Sequence, residues 1–201
     1  MEINKINQIK VTGYAKSIPE YSFTSKKGTK YYIFDLASVR ISGTEDTVPV
    51  LVREDRLIPI ELGDYVSIVG AVTTRNWRNH LSVRVSPEVM TVTEPIGCTN
   101  EVELDGYIAR HPYTKQICES EKVITDFLIA INQGEKSDYV PVILWNRLAR
   151  MTSNLECGNR IHITGRFQSR EYIKPKEDGT LLEKVAYEVS GSKIWIYGEG
   201  E

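Results

Sequence analysis

The sequence lacks the features of a secreted, membrane-spanning or metal-binding protein. Its first residues carry charges at Glu2, Lys5 and Lys10 and contain no apolar run long enough for a signal peptide. The longest apolar stretches, such as Val140–Trp145, have the length of a strand and are too short to cross a bilayer. The 3 cysteines form no CxxC pair, and the 3 histidines have no spacing that could hold a metal ion. We therefore predict a cytoplasmic protein with reduced cysteines, no metal and no other cofactor.

Catalytic motifs are also missing. The chain has no GxxxxGK[ST] phosphate loop, no GxSxG nucleophile turn and no dinucleotide-binding glycine fingerprint. Carboxylates at the Asp-x-Asp or Glu-x-Lys spacing of nucleases are not evident either. These absences favour a protein that is not an enzyme.

The sequence has little excess charge of either sign. Its 201 residues include 25 Lys plus Arg and 27 Asp plus Glu, which leaves a net charge of -2. A uniformly basic nucleic-acid binder is therefore excluded, and only one with its basic residues gathered on one face remains. Residues 1–97 hold 12 basic and 11 acidic side chains, a net charge of +1, whereas residues 98–201 hold 13 and 16, a net charge of -3.

What the sequence does contain is a repeat with an offset of 92–95 residues. Asn7–Tyr14 resembles Asn100–Tyr107. Further matches follow in the same order and pair Pro19 with Pro112, Phe34 with Phe127, Val48–Val50 with Val140–Val142, Leu62–Gly70 with Cys157–Gly165, and Arg75 with Arg170. We predict two copies of one unit, with domains at residues 1–96 and 97–201.

Each copy has the pattern of three strands, a short irregular or helical segment and two more strands. The strands predicted for the first copy are 9–14, 31–39, 48–52, 64–75 and 81–85. Those predicted for the second copy are 102–108, 125–131, 140–145, 160–172 and 185–190, with 193–197 as an extension. Leu148, Met151 and Leu155 have helical spacing, whereas Pro59 argues against a helix at the matching place in the first copy. The order predicts an all-β chain of two tandem OB-folds, which are five-stranded, partly open Greek-key barrels.

The second copy resembles the bacterial single-stranded DNA-binding protein family. The residues that carry the resemblance are the strand ending at Gly106, Phe127–Asn132, Tyr139–Ala149, and Gly158–Tyr172 with Arg166 and Arg170. The resemblance covers residues 100 to about 196. The first copy is similar but more divergent: it keeps Gly13, Phe34, Gly63, Gly70, Arg75 and Trp77 and lacks the segment that matches Leu148-Ala149.

The resemblance implies binding of single-stranded DNA without sequence preference, through aromatic rings stacked on bases and basic side chains on phosphates. It assigns stacking in the second copy to Tyr139, Trp145 and Tyr172. Tyr139 and Trp145 are an even number of residues apart, so one face of a strand would present both. Phosphate contacts are expected from the nearby basic residues Arg166, Arg170, Lys174 and Lys176.

The first copy keeps only part of this set. Trp77 and Arg75 match Tyr172 and Arg170, whereas Thr47 and Arg53 occupy the positions of Tyr139 and Trp145. Charged and aromatic residues on a predicted hairpin tip are expected to compensate, namely Lys26, Lys27, Lys30, Tyr31 and Tyr32.

The resemblance also implies roles in DNA replication, recombination or repair, a nucleoid-associated location, and replication or repair proteins as partners. Because family members commonly use four OB-folds, we expect a homodimer. The end of the chain, Gly198–Glu201, is only faintly similar to the acidic, Phe-ended tail that recruits partners in the family. An accessory or primosome-type factor that uses OB-folds to hold another protein is the alternative. RNA also stays open as a ligand, because no residue pattern speaks to a 2′-hydroxyl contact.

Overall fold

The computed structural model describes residues 6–77, 80–95, 97–117, 121–133, 136–175 and 179–198, with Trp77 and Gln133 described by their backbone alone. The strands of the first copy are β1 (Asn7–Ala15), β2 (Glu20–Thr24), β3 (Lys30–Val39), β4 (Glu45–Arg53), β5 (Tyr65–Trp77) and β6 (His80–Val92). The strands of the second copy are β7 (Asn100–Gln116), β8 (Val123–Gln133), β9 (Lys136–Trp145), β10 (Arg160–Pro175) and β11 (Leu181–Ile196).

Each copy closes five strands into a barrel. In the first copy β1 pairs with β3 and β5, β3 pairs with β4, β5 pairs with β6, and a parallel contact of β4 with β6 completes the circuit. In the second copy β7, β8, β9, β11 and β10 pair in the same cyclic order. This repeated circuit confirms the prediction of two OB-folds, whereas the exact domain boundaries stay a prediction.

The barrel interiors follow from the alternation along each strand. Every second side chain of β1, including Ile9 and Val11, is buried, and the same holds for Val102 and Leu104 of β7. Phe34 and Phe127, which match in the repeat, are both fully buried. Burial of one such ring stabilises the fold by about 1.5–3 kcal/mol relative to its exposure to water. The repeat therefore preserves the same core positions in both barrels.

Three details differ from the predicted elements. A hairpin tip was predicted around Lys26 and Lys27, but no strand was assigned before it; that strand is β2, which pairs with β3. The two segments predicted near the end of the second copy form the single strand β11, because one extra residue, Ser192, is accommodated opposite Thr164/Gly165 and the pairing continues on both sides of it. The helical spacing gives one short helix, α1 (Arg147–Met151), and the matching place in the first copy has a 3-10 turn at Glu54–Arg56.

Backbone pairing of β1 with β7 joins the two barrels. The antiparallel register runs from Asn7 opposite Leu104 to Val11 opposite Asn100. As a result, 11 strands form one continuous sheet. Within it, β11, β10, β7, β1, β5 and β6 lie side by side in that order, and we call the side of these strands that faces away from the two barrel interiors the outer sheet face. In the described part of the chain, no helix combines the length and the apolar character that a membrane crossing requires.

Gly70 and Gly165 mark the points where β5 and β10 leave β1 and β7. Each lies at a register shift, and a Cβ on either residue would overlap a carbonyl oxygen of the adjacent strand, that of Ser86 or of Ser190. The predicted bend at a central glycine thus has a steric cause. Beyond the glycines β5 continues to pair with β6, and β10 with β11, and we call residues 71–86 the first arm and residues 166–190 the second arm. The base of each arm still belongs to its own barrel, since the parallel contacts of Val50 with Val85 and of Val142 with Val189 lie there.

Replacement of Gly70 by alanine should therefore destabilise the first barrel. We expect a loss of about 1–3 kcal/mol in the free energy of unfolding, since the added methyl group must displace backbone. Urea denaturation followed by circular dichroism measures the change. Gly198→Ala is the control because a Cβ there would meet no atom within 4 Å. An unchanged urea midpoint for Gly70→Ala would show that the two strands can separate at no cost.

Candidate nucleic-acid interface

Strand β9 of the second copy presents its predicted aromatic residues on the side opposite the barrel core. Val140, Val142 and Leu144 point inward and are buried, whereas Tyr139 is 46% exposed and Trp145 is partly buried. Tyr139 lies opposite Ala130 and Trp145 opposite Ile124 of β8. Ala130 and Ile124 are smaller than the rings that they face, whereas Ile143, which lies on the same side of β9 between the two rings, is buried. The structure thus places Tyr139 and Trp145 on one strand face, as the spacing predicted.

Two residues of β7 extend this surface and were missed in the sequence. Tyr113 is 60% exposed, and the Lys115 ammonium lies 5.8 Å from the centre of its ring. Both lie beyond Ile108, where the predicted strand ended, but β7 continues to Gln116 and keeps pairing with β8. Between Ile108 and Tyr113 the pairing of β7 with β8 has two register shifts. These shifts interrupt the alternation of buried and exposed residues from which a strand is predicted.

The first copy also presents an aromatic cluster, in a different arrangement. The rings of Phe23 and Tyr31 stack with centroids 4.8 Å apart and an interplanar angle of 10°. The guanidinium carbon of Arg75 lies 5.2 Å from the centre of the Phe23 ring. Phe23 was missed because its strand, β2, was missed. Phe23, which the sequence pattern did not identify, therefore contacts two predicted site residues, Tyr31 and Arg75.

Register explains how the first copy retains a ring. Tyr31 of β3 lies directly opposite Arg53 of β4, and at the matching place Ile124 of β8 lies opposite Trp145 of β9. Each copy thus carries one aromatic side chain in this cross-strand pair, on opposite strands. The first copy thus has Arg53 at the position of Trp145 and a ring, Tyr31, on the neighbouring strand.

The lysines and the second tyrosine of the hairpin are less well placed. Lys26 and Lys27 are exposed in the turn, but the Lys30 ammonium lies 3.8 Å from a carboxylate oxygen of Glu54. Tyr32 packs against the hydrophobic core, so its expected role on the binding surface is not supported. Lys26, Lys27 and Lys30 are thus all exposed, but Lys30 has an acidic side chain beside it.

The basic residues predicted on the second arm are partly neutralised. The Nε atom of Arg170 lies 3.3 Å from a carboxylate oxygen of Glu188, and its guanidinium carbon lies 5.8 Å from the centre of the Tyr172 ring. Tyr172 is 37% exposed and Lys174 is exposed, whereas Lys176 lies outside the described residues. Arg170 therefore lies beside Tyr172, as predicted, but its charge is also paired with that of Glu188.

Arg166 lies in a different environment from the one expected. It is partly buried, donates from Nη2 to the Gln168 side chain at 3.3 Å, and its buried Nε has no hydrogen-bond partner among the described residues. Burial lowers the pKa of Arg166, and the positive charge of Arg40 in the first copy lowers it further. Arg166 is therefore less available to phosphate than the resemblance implied. Trp77 ends β5 opposite His80, but its side chain lies outside the described structure.

Each arm is held by the opposite copy. At what we call the first junction, the Thr74 backbone N–H donates to Asp138 at 2.6 Å, and the Tyr139 N–H donates to the Thr74 hydroxyl at 2.8 Å. At the second junction, the Ser169 N–H donates to Asp46 at 3.0 Å, and the Thr47 N–H donates to the Ser169 hydroxyl at 2.9 Å. The two junctions use matching positions of the repeat. Tyr139, a predicted site residue of the second copy, is thereby bonded to Thr74 of the first copy, a contact that no pattern within one copy could show.

The acids of the two junctions are buried in different electrostatic settings. Asp46 is fully buried and receives two hydrogen bonds of 2.6 Å from the Arg40 guanidinium. Asp138 is 8% exposed, and its burial raises its pKa against the opposing effect of its hydrogen bonds from Thr74. The first junction therefore holds a carboxylate whose charge is costly.

Substitution of Asp138 should separate its charge from its hydrogen bonds. Asp138→Asn keeps an oxygen that accepts the Thr74 N–H and removes the buried charge, so it should raise the free energy of unfolding at pH 7. Asp138→Ala leaves that N–H without its partner and should lower the free energy of unfolding by about 1–3 kcal/mol. Urea denaturation at several pH values measures both effects.

The sign of the pH dependence follows from the raised pKa of Asp138. A native state with a raised carboxyl pKa takes up its proton before the unfolded chain does, so this group favours folding as the pH falls. The advantage of Asp138→Asn over the wild type should therefore shrink as the pH falls through the raised pKa toward the unfolded value of about 3.9. An advantage that grows toward low pH would contradict this account.

Comparison with known proteins follows the same division of the chain. Residues 99–194 match the single-strand binding protein family. The whole chain is similar in structure to the wild-type single-stranded DNA binding protein from Thermus aquaticus, with a TM-score of 0.76, 19% identity, and coverage of 99% of this chain and 96% of that one. A deletion mutant of that protein gives a TM-score of 0.74, 20% identity, and coverage of 98% and 97%. No curated protein sequence matches the chain. The structural likeness shows that the paired OB-fold architecture extends over both copies.

Proposed function

Because the second OB-fold, matched over residues 99–194, belongs to the single-strand binding protein family, we propose that this chain binds single-stranded DNA without sequence preference. One observation carries the proposal: within the matched segment, β9 presents Tyr139 and Trp145 away from the barrel core. Proteins of this family bind DNA without catalysing a reaction on it. Roles in replication, recombination or repair, with partners from those processes, belong to the same proposal.

Binding of single-stranded DNA is compatible with the small net charge of the chain, because stacking on aromatic rings does not require an excess of basic residues. A single strand exposes base faces that stack on aromatic rings, which contributes about 1–3 kcal/mol per base and does not depend on the base. Each phosphate neutralised by a basic side chain adds a salt-dependent contribution, with a slope of about -0.7 in log K against log salt concentration for single strands. With a net charge of -2, we expect few phosphate contacts and a shallow salt dependence.

Tryptophan fluorescence can test this proposal site by site. The chain has 3 tryptophans, Trp77, Trp145 and Trp195, and the last lies on the outer sheet face with its ring 5.0 Å from that of His162. A variant that keeps only Trp145, with phenylalanine at the other two positions, should be strongly quenched by oligo-dT. A matched variant that keeps only Trp195 should not be quenched. Titration at low and high salt gives the affinity and its slope.

The possible results separate the alternatives. Absence of quenching in a folded wild-type chain at low salt would overturn the proposal and favour an accessory factor that holds another protein. Quenching of the Trp195 variant alone would place the DNA on the outer sheet face. A parallel titration with oligo-U shows whether DNA is preferred to RNA.

The outer sheet face supports the proposal that two chains form a homodimer with four OB-folds. On this face Trp195 is 50% exposed and Val89 is 60% exposed. Residues of both charge signs lie on the central strands, including Lys10 of β1 and Glu101 of β7, which are opposite each other in the register. A face with apolar groups at its flanks and mixed charges at its centre can pair with a second copy rotated by half a turn.

Sedimentation equilibrium should therefore find a dimer at micromolar concentration. Trp195→Glu would bury a carboxylate in this contact with no basic side chain placed to pair with it. The variant should therefore shift the equilibrium toward the monomer. Ile41→Glu is the matched control, because Ile41 is fully exposed in a turn away from the outer sheet face. A monomeric wild type, or equal dissociation of both variants, would count against this interface.

A further inference from the structure

The second arm is longer than the first. Tyr172 of β10 matches Trp77, the last residue of β5, but β10 continues to Pro175 and pairs with β11 from Leu181 onward. The first copy forms its barrel without such an extension. A role in closing the OB-fold therefore does not account for the extra residues of the second arm.

The pairing of β10 with β11 separates the charges of the extended arm onto two faces. Residues directly opposite each other in an antiparallel pair lie on the same face. One face, which we call the basic arm face, carries Arg170, Tyr172, Lys174, Leu182 and Lys184. The other, which we call the apolar arm face, carries Glu171, Ile173, Pro175, Leu181, Glu183 and Val185. The arm therefore presents cations on one side and apolar groups with acids on the other.

Three side chains of the apolar arm face form a contiguous apolar strip. Ile173 lies opposite Glu183 and is therefore the diagonal neighbour of both Val185 and Leu181. The exposed fractions of Val185, Ile173 and Leu181 are 43%, 60% and 69%. In the first arm Leu81, which pairs at the position of Val185, packs against the hydrophobic core instead. An exposed apolar strip with a polar rim is typical of a surface that another molecule covers.

At its base the apolar arm face meets an acidic cleft at the second junction. The cleft has a volume of about 380 Å³ and is lined by four charged side chains, Lys16, Asp35 and Glu45 of the first copy and Glu171 of the second. The Lys16 ammonium lies 2.7 Å from a carboxylate oxygen of Glu45, so the cleft keeps an excess of two acids over bases. Val185 lines the cleft and also begins the apolar strip, so the two surfaces are continuous.

The charges of the cleft favour a cationic ligand. Burial raises the pKa of Asp35, and the positive charge of Lys16 opposes that change. An additional cation in the cleft would act in the same direction as Lys16 and stabilise the ionised carboxylate. Glu171 is exposed on the arm side of the cleft and would attract the same cation.

We propose that the acidic cleft and the apolar strip together form a docking site for a peptide segment of a partner protein. The segment that fits places a lysine or arginine in the cleft and aliphatic side chains on Val185, Ile173 and Leu181. A nucleic-acid strand does not fit, because the described residues of the apolar arm face include acids and no base.

This inference goes beyond the proposed function and does not depend on it. The basic arm face lies on the opposite side of the same two strands, with Lys184 directly opposite Tyr172. DNA on the basic arm face would leave the apolar arm face open. One arm can therefore hold a partner protein and a DNA strand at the same time.

Selection from a random peptide library tests the chemistry of the ligand without a prior choice of partner. Phage that display random dodecapeptides are selected on the immobilised full chain, and the recovered peptides are synthesised with a fluorescein label. The peptides should combine lysine or arginine with aliphatic residues. Recovery of acidic peptides, or of none that bind through the apolar arm face, would overturn the proposal.

Two adjacent leucines provide a matched pair of variants. Leu181→Ala removes an aliphatic side chain from the apolar arm face, whereas Leu182→Ala removes the same groups from the basic arm face. Both leucines are exposed, so neither variant should unfold the chain. In fluorescence anisotropy Leu181→Ala should weaken binding of a recovered peptide about 10-fold or more, and Leu182→Ala less than about twofold. Equal effects of the two variants would contradict the site.

A pair of charge reversals tests the cleft. Glu171→Lys should weaken binding of the same peptide at low salt, and the difference from the wild type should shrink as the salt concentration rises. Glu156→Lys makes the same change in net charge at an exposed residue before the start of β10, at the end of that strand remote from the arm. Equal weakening by both variants would assign the effect to net charge and exclude the cleft from the site.

Oligo-dT separates this inference from the proposed function. The affinity of the labelled peptide should be the same with and without saturating oligo-dT, and Leu181→Ala should bind oligo-dT as the wild type does. Competition between peptide and oligo-dT would contradict the two-faced arm. A folded chain that binds the peptide but no oligo-dT removes the proposed function alone, and one that binds oligo-dT but no such peptide removes the docking site alone.

Sedimentation equilibrium tests whether a second copy of this chain covers the strip instead. The oligomeric state of Leu181→Ala should equal that of the wild type and of Leu182→Ala. Dissociation of Leu181→Ala alone would show that the strip is a contact between copies, and it would overturn the proposed partner peptide.

Discussion

The antiparallel pairing of β1 with β7 is the constraint on which the rest of the structure depends. Each OB-fold alone would leave the edge of its first strand unpaired, with exposed N–H and C=O groups. Pairing of Asn7–Val11 with Asn100–Leu104 satisfies both edges at once and places the barrels about an approximate two-fold axis. Several backbone hydrogen bonds set the register of this pairing and so fix the position of one barrel against the other. In this position the first arm contacts Asp138 of β9, and the second arm contacts Asp46 of β4.

This arrangement explains which features the two copies share and which they do not. The shared features determine the path of the backbone. They are the glycines at which β5 and β10 bend, the acids Asp46 and Asp138 that accept backbone N–H groups, and the hydroxyl residues Thr74 and Ser169. The features that differ point outward, where the backbone does not constrain them. Among these are the cross-strand pairs of Tyr31 with Arg53 and of Ile124 with Trp145. Two copies with one framework can thus present different surfaces.

Much of the fold could be predicted from the sequence because it has a periodic signature. The repeat, the alternation of buried residues and the central glycines locate the main strands of both barrels. The strand β2 escaped because five residues, Glu20–Thr24, carry too little alternation to stand out from a loop. Phe23 and Tyr113 were missed for the same kind of reason, as each lies beside or beyond an irregular pairing.

The contacts between the copies could not be predicted in this way. The bonds from Thr74 to Asp138 and from Ser169 to Asp46 link residues 64 and 123 positions apart, and such contacts impose no local pattern. Charge was equally hard to assign, since Arg170 appears basic in the sequence and is paired with Glu188 only in the folded arm.

The near-zero net charge acquires a different meaning in this geometry. A binder that relied on uniform positive charge would need an excess of basic residues over the whole chain, and this chain has none. The first arm has 3 arginines and no acidic residue in its sequence, and hydrogen bonds from Thr74 and Tyr139 hold it against β9 of the second copy. A net charge of -2 over the whole chain is therefore compatible with a segment that is locally basic.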